Sequence, residues 1–356
     1  MILNGSLVVP EPAPATVDAA DLPRASQKPP CEVYDAALLD LDGVVYLGGS
    51  AVAGAPEALA EARHQGLRLA FVTNNASRSP SAIAAQLGRL GVPAHAGEVV
   101  TSAQAAARLL AERLPAGSPV LVVGGMGLRI ALRERGLRPV STALDRPAAV
   151  VQGYGPDISY GLLAEGGLAV RAGAWFVASN ADVTLPTARG LQPGNGSLVQ
   201  VIATATGQRP VVAGKPEPPL HAEAVERSGA KRPLVVGDRL DTDIEGAVRV
   251  GADSMLVLTG VTQPADAVLA PARQRPTYVA PDLSGLLEPQ PAVTADGGQF
   301  RCGGWTVRRD GERVDVTGHG TAIDGLRALC AAAWSAGPVD AGSARSAVGQ
   351  LPFPAK

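Results

Sequence analysis

The sequence predicts an α/β protein: a doubly wound parallel sheet, interrupted by an inserted α/β unit and followed by a small α+β appendix. Three observations predict it. Short apolar runs alternate with helical stretches between about residues 36 and 280, as parallel strands alternate with their crossover helices. Those runs are apolar throughout, which fits strands buried on both faces. The 356 residues exceed one compact core and suit two units or three.

Taken in order, residues 1–30 are rich in Pro, Ala and acidic residues without a period, and read as a disordered leader. Residues 36–39 form the first strand and end in Asp40-Leu41-Asp42-Gly43. A helix around Ala58, Leu59 and Ala62 is stopped by Gly66, and residues 67–72 form a second strand ending in Thr73-Asn74-Asn75. Pro80 sits at the first position of a helix that runs to Gly91. Residues 99–100 are a short strand, and Ser102 caps a helix over 103–114. The inserted unit follows: strands at 120–123, 148–151 and 175–178, and helices at 127–135, 159–173 and 198–206. Its loop Gly124-Gly125-Met126-Gly127 lacks the third glycine of a dinucleotide fingerprint, so nucleotide binding there is disfavoured. The first sheet then resumes with a strand at 210–213 ending in Gly214-Lys215-Pro216 and a helix at 219–228. A strand at 234–236 ends in Gly237-Asp238, a helix covers 244–250, and strands lie at 255–258 and 278–279.

This divides the chain into a catalytic core (31–105 and 208–285), an inserted unit (106–207), an appendix (286–342) and a frayed tail (343–356). The appendix reads as a hairpin turning at Asp310-Gly311, then an alanine-rich helix over 321–335.

Composition narrows the partners. A net charge of −2 leaves no basic field for nucleic acid or anionic membrane, and 3% aromatics is too few for base stacking. No apolar run approaches the about 18 residues of a membrane span. The N-terminal Leu7-Val8-Val9 lacks a basic flank, so no signal peptide is expected. Cys31, Cys302 and Cys330 are far apart and form no CxxC, which favours a reducing, cytoplasmic setting. The four histidines form no close pair.

Four strand ends carry chemistry: Asp40 with Asp42, Thr73, Lys215, and Asp238 followed by Asp243. Each alone is an ordinary capped turn. In one parallel sheet, however, all four ends share one edge, where ligands bind in such sheets. Asp40 and Asp42, two residues apart, point to the same side. The set suits phosphoryl transfer. A hard divalent cation held by Asp40, Asp238 and the Asp42 carbonyl would offset the dianionic ester, with Lys215 as a second positive charge. Thr73 and the amides of Asn74 and Asn75 can donate to phosphate oxygens. Asp40 would form an aspartyl-phosphate, and Asp42, its pKa raised by the neighbouring carboxylate, would serve the leaving alkoxide and then water.

The motifs DLDGVVY, VTNN, GKPEPP and GDRLDTDIEGA, in this order, resemble those of the haloacid-dehalogenase-like phosphatases. The nearer likeness is to their branch with an α/β cap between the second and third motifs (subfamily IIA), which includes 4-nitrophenyl phosphatase-like, phosphoglycolate, pyridoxal phosphate and glycerol 3-phosphate phosphatases. The resemblance spans about residues 32–285. It implies a Rossmann-like core with Asp40 as nucleophile and Asp42 as acid/base. Thr73 and Lys215 would then be on the phosphate, Mg²⁺ on Asp40, Asp42 and Asp238, and Asp243 behind them. Residues 153–157 resemble the cap loop that faces the active site, so Asp157 is either a substrate contact or a helix cap. Asn180-Ala181-Asp182 resembles a neighbouring segment that more often reads Asn-Pro-Asp. The tail is similar to the acetyltransferase-like extension of mycobacterial-type glycerol 3-phosphate phosphatases, here without a pyrophosphate-binding glycine motif.

The resemblance implies a small phosphorylated metabolite as substrate, glycerol 3-phosphate or phosphoglycolate before others, since the cap lacks a basic cluster for a second phosphate. Two other readings use the same residues: a phosphotransferase or mutase passing the aspartyl-phosphate to a sugar, and a non-catalytic regulatory binding protein. A homodimer is compatible with the family, which includes cap-on-cap pairs.

Overall fold

The computed structural model describes residues 23–187 and 189–354. The core is a six-stranded parallel sheet in the order Tyr278–Ala280, Asp253–Val257, Pro233–Gly237, Ala36–Leu39, Arg68–Thr73, Val99–Thr101. The central strand Ala36–Leu39 is buried at every residue. Its Leu39 enters one apolar cluster and Leu38 the cluster on the opposite face. That two-sided burial is why this run is continuous and not alternating.

The inserted unit is a second parallel sheet, of five strands: Val211–Val212, Trp175–Ala178, Ala149–Gln152, Pro119–Val123, Arg138–Val140. Two of its features correct the sequence reading. Arg138–Val140 is an edge strand that the sequence reading leaves out. Val211–Val212, expected to rejoin the core, instead pairs with Trp175–Ala178 in the cap. Two valines read as a strand wherever they lie, and only the partner decides which sheet they join. A hairpin, Thr184–Thr187 with Gly190–Pro193, is a further addition.

The helix Ser102–Ala111 joins the two sheets, and the expected boundary at 105/106 falls inside it. Core residues Leu38, Val72 and Leu220 share one apolar cluster with cap residues Val120, Val151 and Val177, and Ala103, Ala105, Ala106 and Ala107 lie within it. Small side chains let the helix be covered on both sides. Its cap is Thr101, not Ser102 as expected: Thr101 Oγ1 accepts from the Gln104 amide at 3.3 Å, and Gln104 Oε1 accepts from the Thr101 amide at 2.9 Å.

The appendix is a four-stranded antiparallel sheet, Thr294–Asp296, Gln299–Cys302, Trp305–Asp310 and Arg313–Gly318, rather than a single hairpin. The helix Ala322–Trp334 packs on it. The same apolar cluster holds Ile244, Leu256 and Val279 of the core. Of residues 343–356, expected to fray, the described part does not: Ala341–Val348 is a helix capped by Asp340, with Ala344, Ala347 and Leu351 buried in the appendix. Its alanines hide the apolar face that would mark an amphipathic helix. The leader is corrected in part. Residues 1–22 lie outside the described residues, but Ser26 bridges Gln290, the Arg24 guanidinium grips Asp253 at 2.9 and 3.0 Å, and Pro30–Val33 is a helical turn. Among the described residues no helix is long and apolar enough to cross a membrane.

Candidate active site

The sheet edge at the strands' C-terminal ends gathers the acids. Asp40 leaves the central strand and its amide donates to the Val236 carbonyl at 2.8 Å. Asp238 leaves the neighbouring strand, and carboxylate oxygens of Asp40, Asp238 and Asp243 lie within 4.8 Å of one another. Asp243 sits in a widened, π-type turn, Leu240–Ile244, where the Ile244 amide reaches back to the Arg239 carbonyl at 3.2 Å. The extra residue turns the Asp243 carboxylate inward, where it accepts from Lys215 Nζ at 2.7 Å and from the Arg239 amide at 3.1 Å. Lys215 Nζ also pairs with Asp40 and donates to the Val72 carbonyl at 3.2 Å.

Glycines make room for this cluster. Gly43 has φ +89°, and a Cβ there or at Gly260 would run into the Asp238 carboxylate. The Gly of the Asp-Leu-Asp-Gly run therefore serves close approach as well as the turn.

Three carboxylates face one lysine in a buried place. Burial pushes the Asp40 carboxyl well above the usual carboxylate range; Lys215 pulls it back, while Asp243 and Asp238 add to the rise. Burial, then Asp243, raises Asp238 to about 6. Burial opposes the Lys215 charge, but Asp243 and Asp40 outweigh it and hold its pKa above the ordinary value. The cluster is short of positive charge. Asp238 Oδ1 is buried without a hydrogen-bond partner among the described residues, and these hard oxygen donors fit a divalent cation such as Mg²⁺.

Asp42 stands apart and is exposed, with the Tyr46 hydroxyl donating to it at 3.4 Å. Its carboxyl is raised by desolvation, against the pull of Tyr46, Lys215 and Arg78. The neighbouring carboxylate, expected to supply that shift, is not its cause.

The second strand end differs from expectation in detail. Thr73 is buried, and its hydroxyl accepts from the Asn75 amide at 3.1 Å. The Asn75 side chain closes the following turn, accepting from the Ser77 amide at 2.9 Å. The Asn74 side chain lies against the Lys215 main chain and the Asp182 carboxylate. Asp157 is exposed, and the helix Tyr160–Arg171 is capped by Ser159, so Asp157 is not its cap.

Sequence reasoning left out Asp182, Tyr46 and Arg239. Burial raises the Asp182 carboxyl, with Arg239 and Asn74 pulling it down. Arg239 forks onto Asp241 at 2.8 and 3.1 Å. The signal for Asp182 was its place in the Asn-Ala-Asp segment; nothing local marked the others. The cap loop Gly124–Gly127 packs against the core loop after Asn75: the Gly127 amide donates to the Ser77 carbonyl at 3.1 Å, and a Cβ on Gly127 would strike the Ala76 carbonyl. Its glycines serve cap–core contact, in keeping with the disfavoured nucleotide reading.

Known proteins match this arrangement. Residues 37–138 match the haloacid dehalogenase-like hydrolase family, residues 212–286 a HAD-hydrolase-like family, and residues 302–351 a GCN5-related N-acetyltransferase like domain. The chain is 47% identical over 315 residues to the D-glycerol 3-phosphate phosphatase of Mycobacterium tuberculosis, covering 86% of this chain and 88% of that protein. It is 38% identical over 257 residues to the acid sugar phosphatase of Staphylococcus saprophyticus, covering 72% and 97%. The crystal structure of glycerol phosphate phosphatase from Mycobacterium tuberculosis in complex with magnesium superposes with a TM-score of 0.82 at 45% identity, covering 91% of this chain and 99% of that one. The chain belongs to the haloacid dehalogenase-like hydrolases.

Proposed function

We propose that the protein is a Mg²⁺-dependent phosphomonoesterase whose substrate is a small polyol phosphate, glycerol 3-phosphate first. The observation that carries this reading is the cluster of Asp40, Asp238 and Asp243 around Lys215, with Asp42 exposed one residue beyond the nucleophile's neighbour. The likeness to a D-glycerol 3-phosphate phosphatase supports the substrate.

Asp40 attacks phosphorus and breaks the ester bond, giving an aspartyl-phosphate and an alkoxide. Asp42 gives that alkoxide its proton, which its raised pKa favours. The resulting carboxylate then takes a proton from water as the water attacks phosphorus and restores Asp40. Lys215 and the Thr73 hydroxyl hold phosphate oxygens, helped by the Asn74 amide, while the Asn75 amide, expected to join them, instead donates to Thr73 Oγ1. Asp40, Asp238 and the Asp42 carbonyl would hold Mg²⁺, with Asp243 behind; the ion supplies charge neutralisation for the incoming dianion. The inserted unit, from the end of the helix Ser102–Ala111 through Val211–Val212, acts as the cap that chooses the substrate, and Asp157 on its exposed loop is one candidate contact. The three cysteines are free and buried, which fits the reducing cytoplasm we propose as its compartment.

Phosphate release measured over glycerol 3-phosphate, phosphoglycolate, pyridoxal phosphate, sugar phosphates and 4-nitrophenyl phosphate tests the reading. Release with Mg²⁺ that a chelator stops, highest on glycerol 3-phosphate among the metabolites, is the expected result. Loss of the ester only with an added sugar acceptor, with the phosphoryl group recovered on that sugar and not as free phosphate, would make the protein a phosphotransferase instead, and no turnover under any condition would leave the regulatory binding protein standing.

A further inference from the structure

Lys215 does not ride on the core sheet. It follows Val211–Val212, the edge strand of the cap sheet, where the chain returns to the core. Any shift of the cap is therefore passed along the main chain toward the lysine, unless something fixes that main chain at the crossing point.

Asn74 occupies that point. Its Oδ1 accepts from the Lys215 amide at 2.8 Å, and its Nδ2 donates to the Lys215 carbonyl at 3.2 Å, so both main-chain groups of Lys215 are held by one side chain. The same Nδ2 faces the Asp182 carboxylate of the cap at 3.2 and 3.3 Å. The Asn74 carbonyl accepts from Asn180 Nδ2, also of the cap, at 2.7 Å, and from Ser102 Oγ at 2.6 Å. Ser102 begins the helix by which the chain leaves the core for the cap, so both crossings meet at this residue. Gly214 keeps the crossing open: a Cβ there would lie 2.6 Å from Asn74 Oδ1 and 2.5 Å from the Ser179 carbonyl.

We propose that Asn74 is a positioning residue that ties the seated cap to Lys215, so that the lysine is held against Asp40 and Asp243 when the cap is in place. This rests on the phosphatase reading above. It gives Asn74 a role beyond a phosphate-facing amide. The role acts on the phosphoryl group, common to every ester, and is blind to the leaving group.

The test is steady-state kinetics on both 4-nitrophenyl phosphate and glycerol 3-phosphate for Asn74→Ala, Asn180→Ala and the double variant, with thermal melting to establish folding. Asn74→Ala is expected to lower kcat by about 10²-fold on both esters, the scale of a reacting group misplaced by an ångström, with KM changed by less than about threefold. Asn180→Ala lowers kcat by a smaller factor, again equal on the two esters, and the double variant is no worse than Asn74→Ala, because Asn180 holds the Asn74 main chain and reaches Lys215 only through the Asn74 side chain. A folded Asn74→Ala enzyme with wild-type kcat overturns the proposal, and so does a loss confined to glycerol 3-phosphate, which would make Asn74 a leaving-group contact. If Asn74→Ala does not fold, Asn180→Ala and Gly214→Ala decide: equal loss on both esters supports the proposal, and unchanged kcat in both variants overturns it. A wild type that releases phosphate from neither ester overturns the phosphatase reading itself, and this inference with it.

Discussion

The core and the cap are built alike, as parallel sheets with crossover helices, and they end their strands differently. The core strands end in charge: Asp40 and Asp238 lie close to Asp243 and Lys215, with pKa values displaced by burial and mutual repulsion. Two cap strands end in neutral amides and hydroxyls, while the cap edge strand Val211–Val212 hands Lys215 to the core. Gln152 closes the strand Ala149–Gln152, and Ser179 follows Trp175–Ala178; both are fully buried, and among the described residues neither finds a hydrogen-bond partner for its side chain. One architecture thus supports two kinds of edge. Charge held by opposing charge serves chemistry, whereas neutral polar groups let the second sheet press onto the first without adding to a crowded field.

The sharpest break in that comparison is Asp40→Asn. It should lower phosphate release by at least about 10³-fold, since it removes the attacking oxygen. It should not lower the melting temperature, because it relieves repulsion among three acids around one lysine. Full turnover in the Asp40→Asn variant rejects the assignment. The next effect is on the metal. Saturating Mg²⁺ should stabilise the wild type by about 2.7 kcal/mol at a hundred times its dissociation constant. Asp238→Asn should lose that gain, as read from melting curves with Mg²⁺ or chelator and no substrate; an equal gain in both proteins would move the site elsewhere.

His221 is the core's neutral exception. Its ring is buried without partners among the described residues, and burial, with Lys215 nearby, lowers its pKa to about 3. Above pH 6.5 the ring is neutral folded or unfolded. Below it the unfolded chain takes a proton that the folded chain refuses, so this residue costs stability as pH falls toward about 3, by up to about 1.4 kcal/mol per unit. The raised carboxyls of the core act in the opposite sense, because there the folded state binds the extra protons. The readout is therefore the difference between wild type and His221→Met from pH 7 to pH 5: the variant should lose less, and parallel curves would reject the assignment. The smallest effect belongs to the cap. Gln152→Met removes two unpaired buried polar atoms and should stabilise the fold by about 1 kcal/mol, with kcat on 4-nitrophenyl phosphate unchanged. A loss of stability in the Gln152→Met variant would mean that Gln152 has a partner, such as an ordered water.

The core sheet was legible in the sequence because its strands are local apolar runs that end in acids, as at Leu38-Leu39-Asp40. The cap was legible as alternating strands and helices, but the Thr184–Thr187 hairpin and the Arg138–Val140 edge strand were not, since exposed edges need no apolar run. The helix Ala341–Val348 was missed because alanine marks no face. In the candidate site, the acids and the lysine could be picked out by type and order. Asn74 could be picked out only as a phosphate contact, because its links to Lys215 and Asp182 join positions more than a hundred residues apart.

Sequence by itself determined which groups stand at strand ends, since burial pattern and turn chemistry are local properties. It also determined the membership of the acid set. Tertiary structure alone decided that Lys215 arrives on a cap strand and that one asparagine meets both crossings, and it gave Asp42 its raised pKa from desolvation and not from its neighbour. Those facts depend on which surfaces press together, and packing between distant segments leaves no periodic mark along the chain.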